Sequence, residues 1–378
     1  MILDDKHIKF REKIKKFADD EIAPRARELD HKCEFPWDLI KRMGELEFLA
    51  IYIPEKYGGA GLDTLSYSIA VEEIGRVCGS TGIFLAAHSS LGIYPIYVAG
   101  NEIQKKKWII PLALGEKIGS FGLTEPDAGS DASATKTTAK LVGDKYIING
   151  SKCFITSGGI ADIIVFTATK DPSLGYRGIS AFVVEKGTPG YSEGKKEDKM
   201  GLRSSVTSEL IFEDCAIPKE NLLGKEGDGF KVFMLTLDGG RISIGALALG
   251  IAQGALDASI KFSKTASKGG KFLYKNQSIQ SMIAEMATEI EAARLLIYQS
   301  ALLKDAGKPF TKEAAMAKYY SSTIGMKATC TAVSIHGMLG LTNEYPVERF
   351  MRDEKLMEIG EGTTEVQKIV IARQVFGR

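Results

Sequence analysis

The chain has 378 residues, 44% hydrophobic and 26% charged, which is enough for a large core divided between two or three domains. Its 49 Lys and Arg residues balance 48 Asp and Glu residues, so the chain lacks the basic field typical of nucleic-acid-binding proteins. Five cysteines without a CxxC pair, and only four histidines, argue against a structural zinc site or a disulfide framework.

The expected compartment follows from the same inventory. No apolar run in the sequence suggests a membrane span, and no signal-peptide segment follows Met1. The cysteine usage fits a reducing environment. We therefore expect a cytoplasmic protein, with an organelle matrix, after removal of a leader, as the alternative.

The first third of the chain has a helical pattern. Phe10, Ile14 and Phe17 recur at helical spacing. The turn-rich segment 54–61 is interpreted as a plain loop, because its glycines lack the spacing of a dinucleotide-binding fingerprint. Further helical runs are predicted at 65–77, which is amphipathic in pattern, and at 82–115.

Near Ser120 the pattern changes from helical spacing to strand alternation. Tyr146–Ile148 ends at Asn149–Gly150, a pair typical of hairpin turns, which predicts a return strand at 152–156. Other strands are predicted at 162–169, 178–186 and 209–212, before long helical runs return from Gly229 onward at 242–262 and 278–303. We expect a helical domain at 1–119, a β-domain at 120–225 and a second helical domain at 226–378.

One acidic residue near the C-terminus stands in an unusual context. Glu361 lies between Gly360 and Gly362, on backbone with little steric restriction. Thr364 and Gln367 resemble a capping box that opens the last helix. A carboxylate beside that helix N-terminus is expected to be stabilised as an anion. The alternative is an exposed loop with an incidental glutamate.

Five sequence blocks, in this order, resemble the acyl-CoA dehydrogenase family over nearly the whole length of the chain. They are Leu123–Asp131, Ile147–Lys152, Pro218–Asn221, Tyr345–Arg349 and Arg352–Gln367. The resemblance implies an α+β multidomain fold with a helical N-terminal domain, a central β-barrel-like domain and a C-terminal four-helix bundle. Within the family, the chain is similar to short-chain (butyryl-CoA) and related branched or cyclic acyl-CoA dehydrogenases.

The resemblance also implies a reaction. Glu361 is then the base that removes the α-proton of an acyl-CoA thioester, while the β-hydrogen leaves as hydride to N5 of FAD. The product is a 2-enoyl-CoA, and the electrons pass to an electron-transfer flavoprotein in acyl-CoA catabolism. Some family members carry the base just before Arg241 instead, but Gly240 stands there in this chain.

Contacts with the cofactor and the substrate are implied position by position, and no metal is expected. The implied flavin contacts are Phe121, Leu123, Thr124, Ser130, Phe154, Ile155, Thr156, Gln277, Thr363 and Glu365. The implied substrate contacts are Ser130, Asp238, Arg241 and Gly362. Taken alone, Phe154 and Ile155 are also compatible with ordinary β-core packing, and Arg241 with a surface residue or an ion-pair residue.

Two positions bear on the acyl group. Gly360 stands where many straight-chain members have Tyr, which favours a branched, cyclic or otherwise bulky acyl group. Gly82 aligns with an Arg of the dicarboxyl-CoA members, so an acidic acyl tail is not expected. Chain length is left open.

Two segments depart from the family pattern. Ala266–Gly270 replaces an Arg-x-x-Phe-Gly block, and Ser334–Gly340 replaces Gln-x-x-Gly-Gly-x-Gly. In the family both blocks reach the FAD of a neighbouring subunit. Lys268 and Lys271 would restore charge but not a guanidinium fork, and His336 is either a donor or helix packing.

Several functions remain compatible with these residues. The chain is expected to form a homotetramer that holds FAD more weakly, or else to be the base-carrying subunit of a mixed-subunit dehydrogenase. An acyl-CoA oxidase and an enoyl-CoA reductase are the alternative activities. A non-enzymatic binding module is disfavoured, because it would have no use for a base beside flavin-contact residues.

Overall fold

The computed structural model describes residues 3–377, and within that range it contains twelve α-helices and ten β-strands. The helices are α1 (Asp5–Phe17), α2 (Ala26–Lys32), α3 (Trp37–Glu45), α4 (Thr64–Gly75), α5 (Gly79–Ala87), α6 (Tyr94–Ala99), α7 (Glu102–Ala113), α8 (Gly229–Thr265), α9 (Gln277–Asp305), α10 (Thr311–His336), α11 (Val347–Glu354) and α12 (Thr364–Val375). The strands are β1 (Gly119–Gly122), β2 (Thr138–Val142), β3 (Lys145–Thr156), β4 (Ile163–Thr169), β5 (Ile179–Glu185), β6 (Tyr191–Lys196), β7 (Thr207–Pro218), β8 (Leu222–Leu223), β9 (Ser267–Lys268) and β10 (Lys271–Phe272). The order is helical, then sheet, then helical, which confirms the expected architecture.

Helix α4 lies at the centre of the helical layers. Its start is capped by the Asp63 side chain, which accepts a hydrogen bond from the amide of Ser66. All twelve residues of α4 are buried, because α1, α5, α8 and α9 pack around it. The amphipathic character predicted for this segment is therefore wrong: the helix has no solvent face.

Two helical stretches, Gly79–Ala99 and Gly229–Thr265, are long and apolar enough to cross a membrane. This corrects the expectation only in that runs of such length and apolarity are present. In each, 78% of the most apolar window is buried inside the protein, as in the core helices of a globular fold. Close packing accounts for the small residues of α8, since a Cβ on Gly250 would lie 2.2 Å from the carbonyl oxygen of Glu72 on α4.

The central domain is an eight-stranded mixed sheet in the order β6-β7-β3-β2-β4-β5-β8, with β1 paired in parallel to β4. Strand β3 runs unbroken through Asn149–Gly150, so the hairpin turn predicted there is wrong. The chain turns at Gly143 instead, where φ is 63°. Asn149 and Gly150 lie at a register shift against β7, and the Asn149 side chain bonds to Asp214 there. The pair thus forms a bulge inside a long strand.

Helix α8 connects the sheet to the C-terminal helices. Near its start Phe233 stacks on Phe121 of β1, with ring centroids 4.1 Å apart. Further along, α8 packs closely on α10, because a Cβ on Gly245 would lie in contact at 3.4 Å from the backbone of Lys318. The edge of the sheet and the C-terminal helices are thereby held around one segment of α8.

Candidate active site

The turn between α11 and α12 carries Glu361. Thr363, not Thr364, caps α12, and its Oγ1 accepts a hydrogen bond from the amide of Val366 at 3.3 Å. The predicted capping box is therefore wrong, since the Gln367 side chain turns to the carbonyls of the preceding loop. Glu361 itself has φ 53°, a left-handed conformation that costs a non-glycine residue energy.

A carbonyl group holds this strained turn in place. The Gly362 oxygen accepts hydrogen bonds from Lys318 Nζ at 2.7 Å and from Gln367 Nε2 at 2.8 Å. Both donor side chains are fully buried. Gly362 has φ 95°, and a Cβ there would lie 2.6 Å from Gln367 Nε2. Glycine is thus required on both conformational and steric grounds.

The Glu361 carboxyl group lies over α8. A Cβ on Gly240 would be 2.2 Å from Glu361 Oε2, so α8 has neither an acid nor room for one at this position. Oε2 is buried and has no hydrogen-bond partner within residues 3–377, although the residue as a whole is half-buried. Burial raises the pKa of Glu361 to about 7, while the nearby charges of Lys318 and Arg241 oppose that rise.

This pKa corrects the expectation that the helix N-terminus stabilises the Glu361 anion. The carboxylate that does profit from the first turn of α12 is Glu365, which is exposed and whose pKa is lowered by its own backbone amide and by the Thr363 side chain. Glu361 is left as a desolvated acid. A group of this kind changes protonation near neutral pH.

Arg241 is buried on α8 and forms an ion pair with Asp238 one turn earlier. Asp238 also accepts a hydrogen bond from Thr311 Oγ1 at 2.7 Å, at the start of α10. Burial lowers the pKa of Arg241, and the Asp238 and Glu361 carboxylates oppose that effect. Of the two alternatives considered from the sequence, the ion pair is present, but as a buried pair close to Glu361 and not at the surface.

The two sequence segments assigned to flavin contacts lie side by side at the edge of the sheet. The amide of Cys153 donates to the carbonyl of Thr124 at 2.9 Å, and Ser120 Oγ donates to the carbonyl of Thr156 at 2.7 Å. Ile155 is buried, but Phe154 is 67% exposed and has φ 56°. Core packing therefore explains Ile155. It does not explain Phe154, whose apolar ring is exposed although its backbone is strained.

The remaining predicted residues lie in three regions: the edge of the sheet, the surroundings of Glu361 and the start of α9. Phe121 stacks on Phe233, about two turns before Gly240, which connects the sheet edge to the Glu361 region. The exposed or half-buried residues around these two regions are Leu123, Thr124, Ser130, Thr156 and Thr363. Gln277 lies apart from them, exposed at the start of α9. Its side chain makes no hydrogen bond within residues 3–377.

The segments that depart from the family pattern lie at the surface near that end of α9. Gly269 and Gly270 have φ 58° and 76° and form the turn of the β9–β10 hairpin, with Lys268 and Lys271 exposed. His336 stacks on Phe262, with ring centroids 4.2 Å apart, and its Nδ1 bonds to the Ala332 carbonyl. Of the two roles considered for His336, the structure supports helix packing.

The sequence patterns missed two residues of the site. Lys318 was not singled out, and Gln367 was assigned only to a helix cap. A lysine at 318 within the Ala-rich start of α10 was the available signal, since an ammonium group is rarely placed on a buried helix face without a partner. The pattern does not name the partner, which is a backbone carbonyl 44 residues further along the chain.

Three family models match consecutive parts of the chain. They describe the N-terminal domain (residues 4–116), the middle domain (120–215) and the C-terminal domain (227–376) of acyl-CoA dehydrogenase. The chain belongs to the acyl-CoA dehydrogenase family. The ranges follow the same three-part order as the helical, sheet and helical segments of the fold.

Curated relatives of this acyl-CoA dehydrogenase family member extend over almost the whole chain. The short-chain specific acyl-CoA dehydrogenase of Clostridium acetobutylicum is 50% identical, with 97% of each chain covered. The acryloyl-CoA reductase (NADH) of Anaerotignum propionicum is 48% identical, covering 96% of this chain and 93% of the relative. Enzymes named for oxidation and for reduction are therefore about equally similar to it.

Solved structures show the same fold throughout. The butyryl-CoA dehydrogenase of Megasphaera elsdenii superposes with TM-score 0.97 at 47% identity, covering 100% of this chain and 99% of that one. A chain of the Acidaminococcus fermentans structure described as an electron transferring flavoprotein superposes with TM-score 0.99 at 52% identity, with both chains fully covered.

Members of this family depend on FAD, which is the cofactor of this enzyme. The residues present fit it. Phe154 offers an exposed ring, the half-buried Thr124 and Thr156 carry hydroxyl groups on the two neighbouring segments, and the unpartnered Glu361 oxygen lies over Gly240 of α8. A flat aromatic cofactor with polar edges would satisfy such a set.

A stability measurement tests the desolvation of Glu361. A carboxyl group whose pKa is raised on folding destabilises the protein when it ionises. That penalty is absent below its ordinary pKa of 4.5 and complete above about 7. Glu361→Gln cannot ionise, so we expect the stability of the variant relative to wild type to increase by on the order of 2–3 kcal/mol between pH 5 and pH 8.

Thermal unfolding at matched flavin content measures this difference. Glu344→Gln, at an exposed position, controls for the loss of one surface carboxylate. A difference between Glu361→Gln and wild type that stays constant from pH 5 to pH 8 contradicts the expectation.

Proposed function

We propose that this enzyme oxidises a short acyl-CoA to the corresponding 2-enoyl-CoA, with Glu361 as the base that removes the α-proton. The observation that carries the proposal is a buried, unpaired carboxyl oxygen over Gly240 with a pKa of about 7. A base for a weakly acidic carbon acid works best when its pKa lies near the working pH and water is excluded. Glu361 has the first property, and its buried Oε2 atom has the second.

The chain also supplies fixed geometry around the reacting carbon. The backbone at Glu361 is left-handed, its neighbour Gly362 is clamped by Lys318, and the carboxyl group points towards Gly240 on α8. The amide N–H of Glu361 donates to no protein acceptor within residues 3–377, which leaves it free for the thioester oxygen. A donor placed there would stabilise the enolate-like charge that develops as the proton leaves.

The cofactor and the substrate would occupy neighbouring surfaces. We assign to FAD the flavin contacts proposed from the sequence. Among them are Phe154, Thr156 and Thr124 at the sheet, and Thr363 and Glu365 at the start of α12. FAD, when bound, accepts the two electrons and the β-hydrogen of the substrate. Asp238 and Arg241, held together on α8, are assigned to the CoA-bearing part of the substrate.

We propose an electron-transfer flavoprotein as the electron acceptor, because the Acidaminococcus fermentans structure of 52% identity carries that description. The similarity to an acryloyl-CoA reductase favours one second candidate, the reverse reaction on a 2-enoyl-CoA. Reoxidation of the reduced enzyme separates these from an oxidase, which oxygen would reoxidise as fast as an artificial acceptor does. We assign the enzyme to the cytoplasm, as proposed from the sequence.

Loss of the base is the direct test of the reaction. Glu361→Gln keeps the volume of the side chain and removes its proton-accepting charge. We expect kcat for acyl-CoA oxidation to fall by about 10²–10⁴-fold or more at unchanged flavin content. The matched control is Glu344→Gln, which removes an exposed carboxylate from the loop before α11. Wild-type turnover by flavin-replete Glu361→Gln would refute the assignment.

The residue before the base tests the shape of the acyl pocket. A Cβ on Gly360 would meet only Leu356, at 3.5 Å, so the position is open. An arginine at Gly82 is disfavoured sterically, because a Cβ there would be 2.5 Å from Leu247 Cδ1 and 3.1 Å from the Cα atom of Gly75. We therefore expect activity on short unbranched acyl-CoAs and also on branched or cyclic ones, but not on dicarboxyl-CoAs.

A substrate panel with wild type and Gly360→Tyr measures this shape. The tyrosine should lower kcat/KM for branched and cyclic acyl-CoAs by about tenfold or more relative to butyryl-CoA, because it fills the open space. Equal losses on all substrates, or a wild-type preference for long unbranched chains, would contradict the open pocket.

Assembly is tested by counting flavins. We propose a homotetramer, in which the exposed β9–β10 hairpin and the exposed Met338 lie at a subunit contact. Purified alone, the chain should then form a tetramer with about one FAD per chain, released more readily than usual because Lys268 and Lys271 replace a guanidinium. A flavin-poor chain that binds FAD only with a related subunit supports the mixed-subunit alternative instead.

A further inference from the structure

Lys318 is a buried lysine without an anionic partner at contact distance. Its side chain is fully buried on α10, and within residues 3–377 it forms no salt bridge. Its hydrogen bond goes to the carbonyl of Gly362, at 2.7 Å. Burying an ammonium group costs several kcal/mol unless compensating charges lie nearby. A lysine that only filled space would be replaced at lower cost by methionine.

The backbone that Lys318 contacts is the one that aims Glu361. The carbonyl of Gly362 follows directly after the left-handed residue, so fixing this oxygen fixes the direction in which the Glu361 side chain leaves the turn. Gln367 donates to the same oxygen from α12. The turn is thus held by two side chains, the neutral amide of Gln367 and the cationic ammonium group of Lys318.

We propose that Lys318 is a positioning residue for the base. Its ammonium group holds the strained turn through the Gly362 carbonyl, and its charge keeps the buried Glu361 carboxylate ionised until the α-proton is transferred. This inference deepens the function proposed above and rests on the role of Glu361 in it.

The charges around both groups are consistent with this role. Glu361 faces Lys318 on α10, Arg241 on α8 and the phenol of Tyr67 on α4. Lys318 faces Glu361, Arg241 and the carboxyl groups of Glu354 and Glu358. Arg241 is already paired with Asp238, and Glu358 is paired with Lys355 at 2.6 Å. Burial raises the pKa of Glu354 well above its ordinary value, which disfavours its charged form. Lys318 is therefore the cation whose charge is least neutralised by another group.

The protonation equilibrium follows from this arrangement. Burial lowers the pKa of Lys318 to about 8 and raises that of Glu361 to about 7, and each charge favours the ionised form of the other. Between these values a cation and an anion face each other in a dry site. Without the cation, the pKa of Glu361 rises. As the pH is lowered, the carboxylate is then protonated, and the base lost, at a higher pH than in wild type.

Lys318→Met is the test variant, because its unbranched side chain is only one atom shorter and removes the charge. We expect the acid limb of the kcat/KM profile to move to a pH about one unit higher. The ratio of wild-type to variant kcat/KM should therefore be about tenfold larger at pH 6 than at pH 9. KM at pH 9 should change little, since Asp238 and Arg241 are untouched. A purely structural lysine would lower stability or flavin content and leave the limb in place.

Two variants bracket this result. Lys318→Arg retains a cation and should leave the limb within a few tenths of a pH unit, whatever its effect on kcat. Lys327→Met removes an exposed lysine from the same helix, paired with Glu285 and Glu289, and should leave both the limb and kcat unchanged. If Lys318→Met does not fold, Lys318→Gln is held to the same criterion.

Infrared titration of the Glu361 carboxyl group separates failure of this inference from failure of the proposed function. The wild-type spectrum minus that of Glu361→Gln isolates the carboxyl band without any substrate. If its midpoint rises in Lys318→Met, the charge role stands even for an enzyme with a different substrate. An unchanged midpoint and an unchanged acid limb in a folded, flavin-replete Lys318→Met would overturn the proposal.

Discussion

The structure depends on the placement of one carboxyl oxygen where water cannot reach it. Glu361 Oε2 lies against the bare backbone of Gly240, and no protein donor within residues 3–377 compensates its desolvation. Such a group tends to stay protonated, which would make it useless as a base at neutral pH. Lys318 and Arg241 offset that tendency from two different helices, so the carboxyl group titrates near pH 7.

The packing of the helices keeps this site dry. Helices α4, α8 and α10 approach closely because glycines stand at their crossings, at Gly245 and Gly250 on α8 and at Gly75 on α4. Side chains at these positions would meet neighbouring backbone or core side chains at or below contact distance. The glycines of this family member are therefore a condition for the electrostatics of the site as well as for the fold.

Part of this arrangement could be predicted from the sequence. The three-part order of the fold followed from periodicity and from the blocks shared with the family, and the same blocks supplied the prediction that Glu361 is the base. The position of Thr363 as cap, the bulge at Asn149 and the burial of α4 did not. A turn pair, a capping pattern and an amphipathic spacing are local signals, and interactions distant from each signal decided the structure. The turn pair became a bulge because of the register against β7, and Gln367 donates to the Gly362 carbonyl instead of capping the helix. Helix α4 is buried because other helices pack on all its sides. Lys318 was missed for the same reason, because its partner is distant in sequence.

The central claim is that Glu361 removes an α-proton in a site that desolvates it, and hydrogen exchange on acetyl-CoA tests it most directly. Acetyl-CoA has α-hydrogens but no β-hydrogen, so proton removal is observed without oxidation. Incubated with the holoenzyme in D₂O, it should incorporate deuterium at a rate that rises with pH through about 7, and Glu361→Gln should reduce that rate by about 10²-fold or more. Exchange that is as fast in Glu361→Gln as in wild type would contradict the claim.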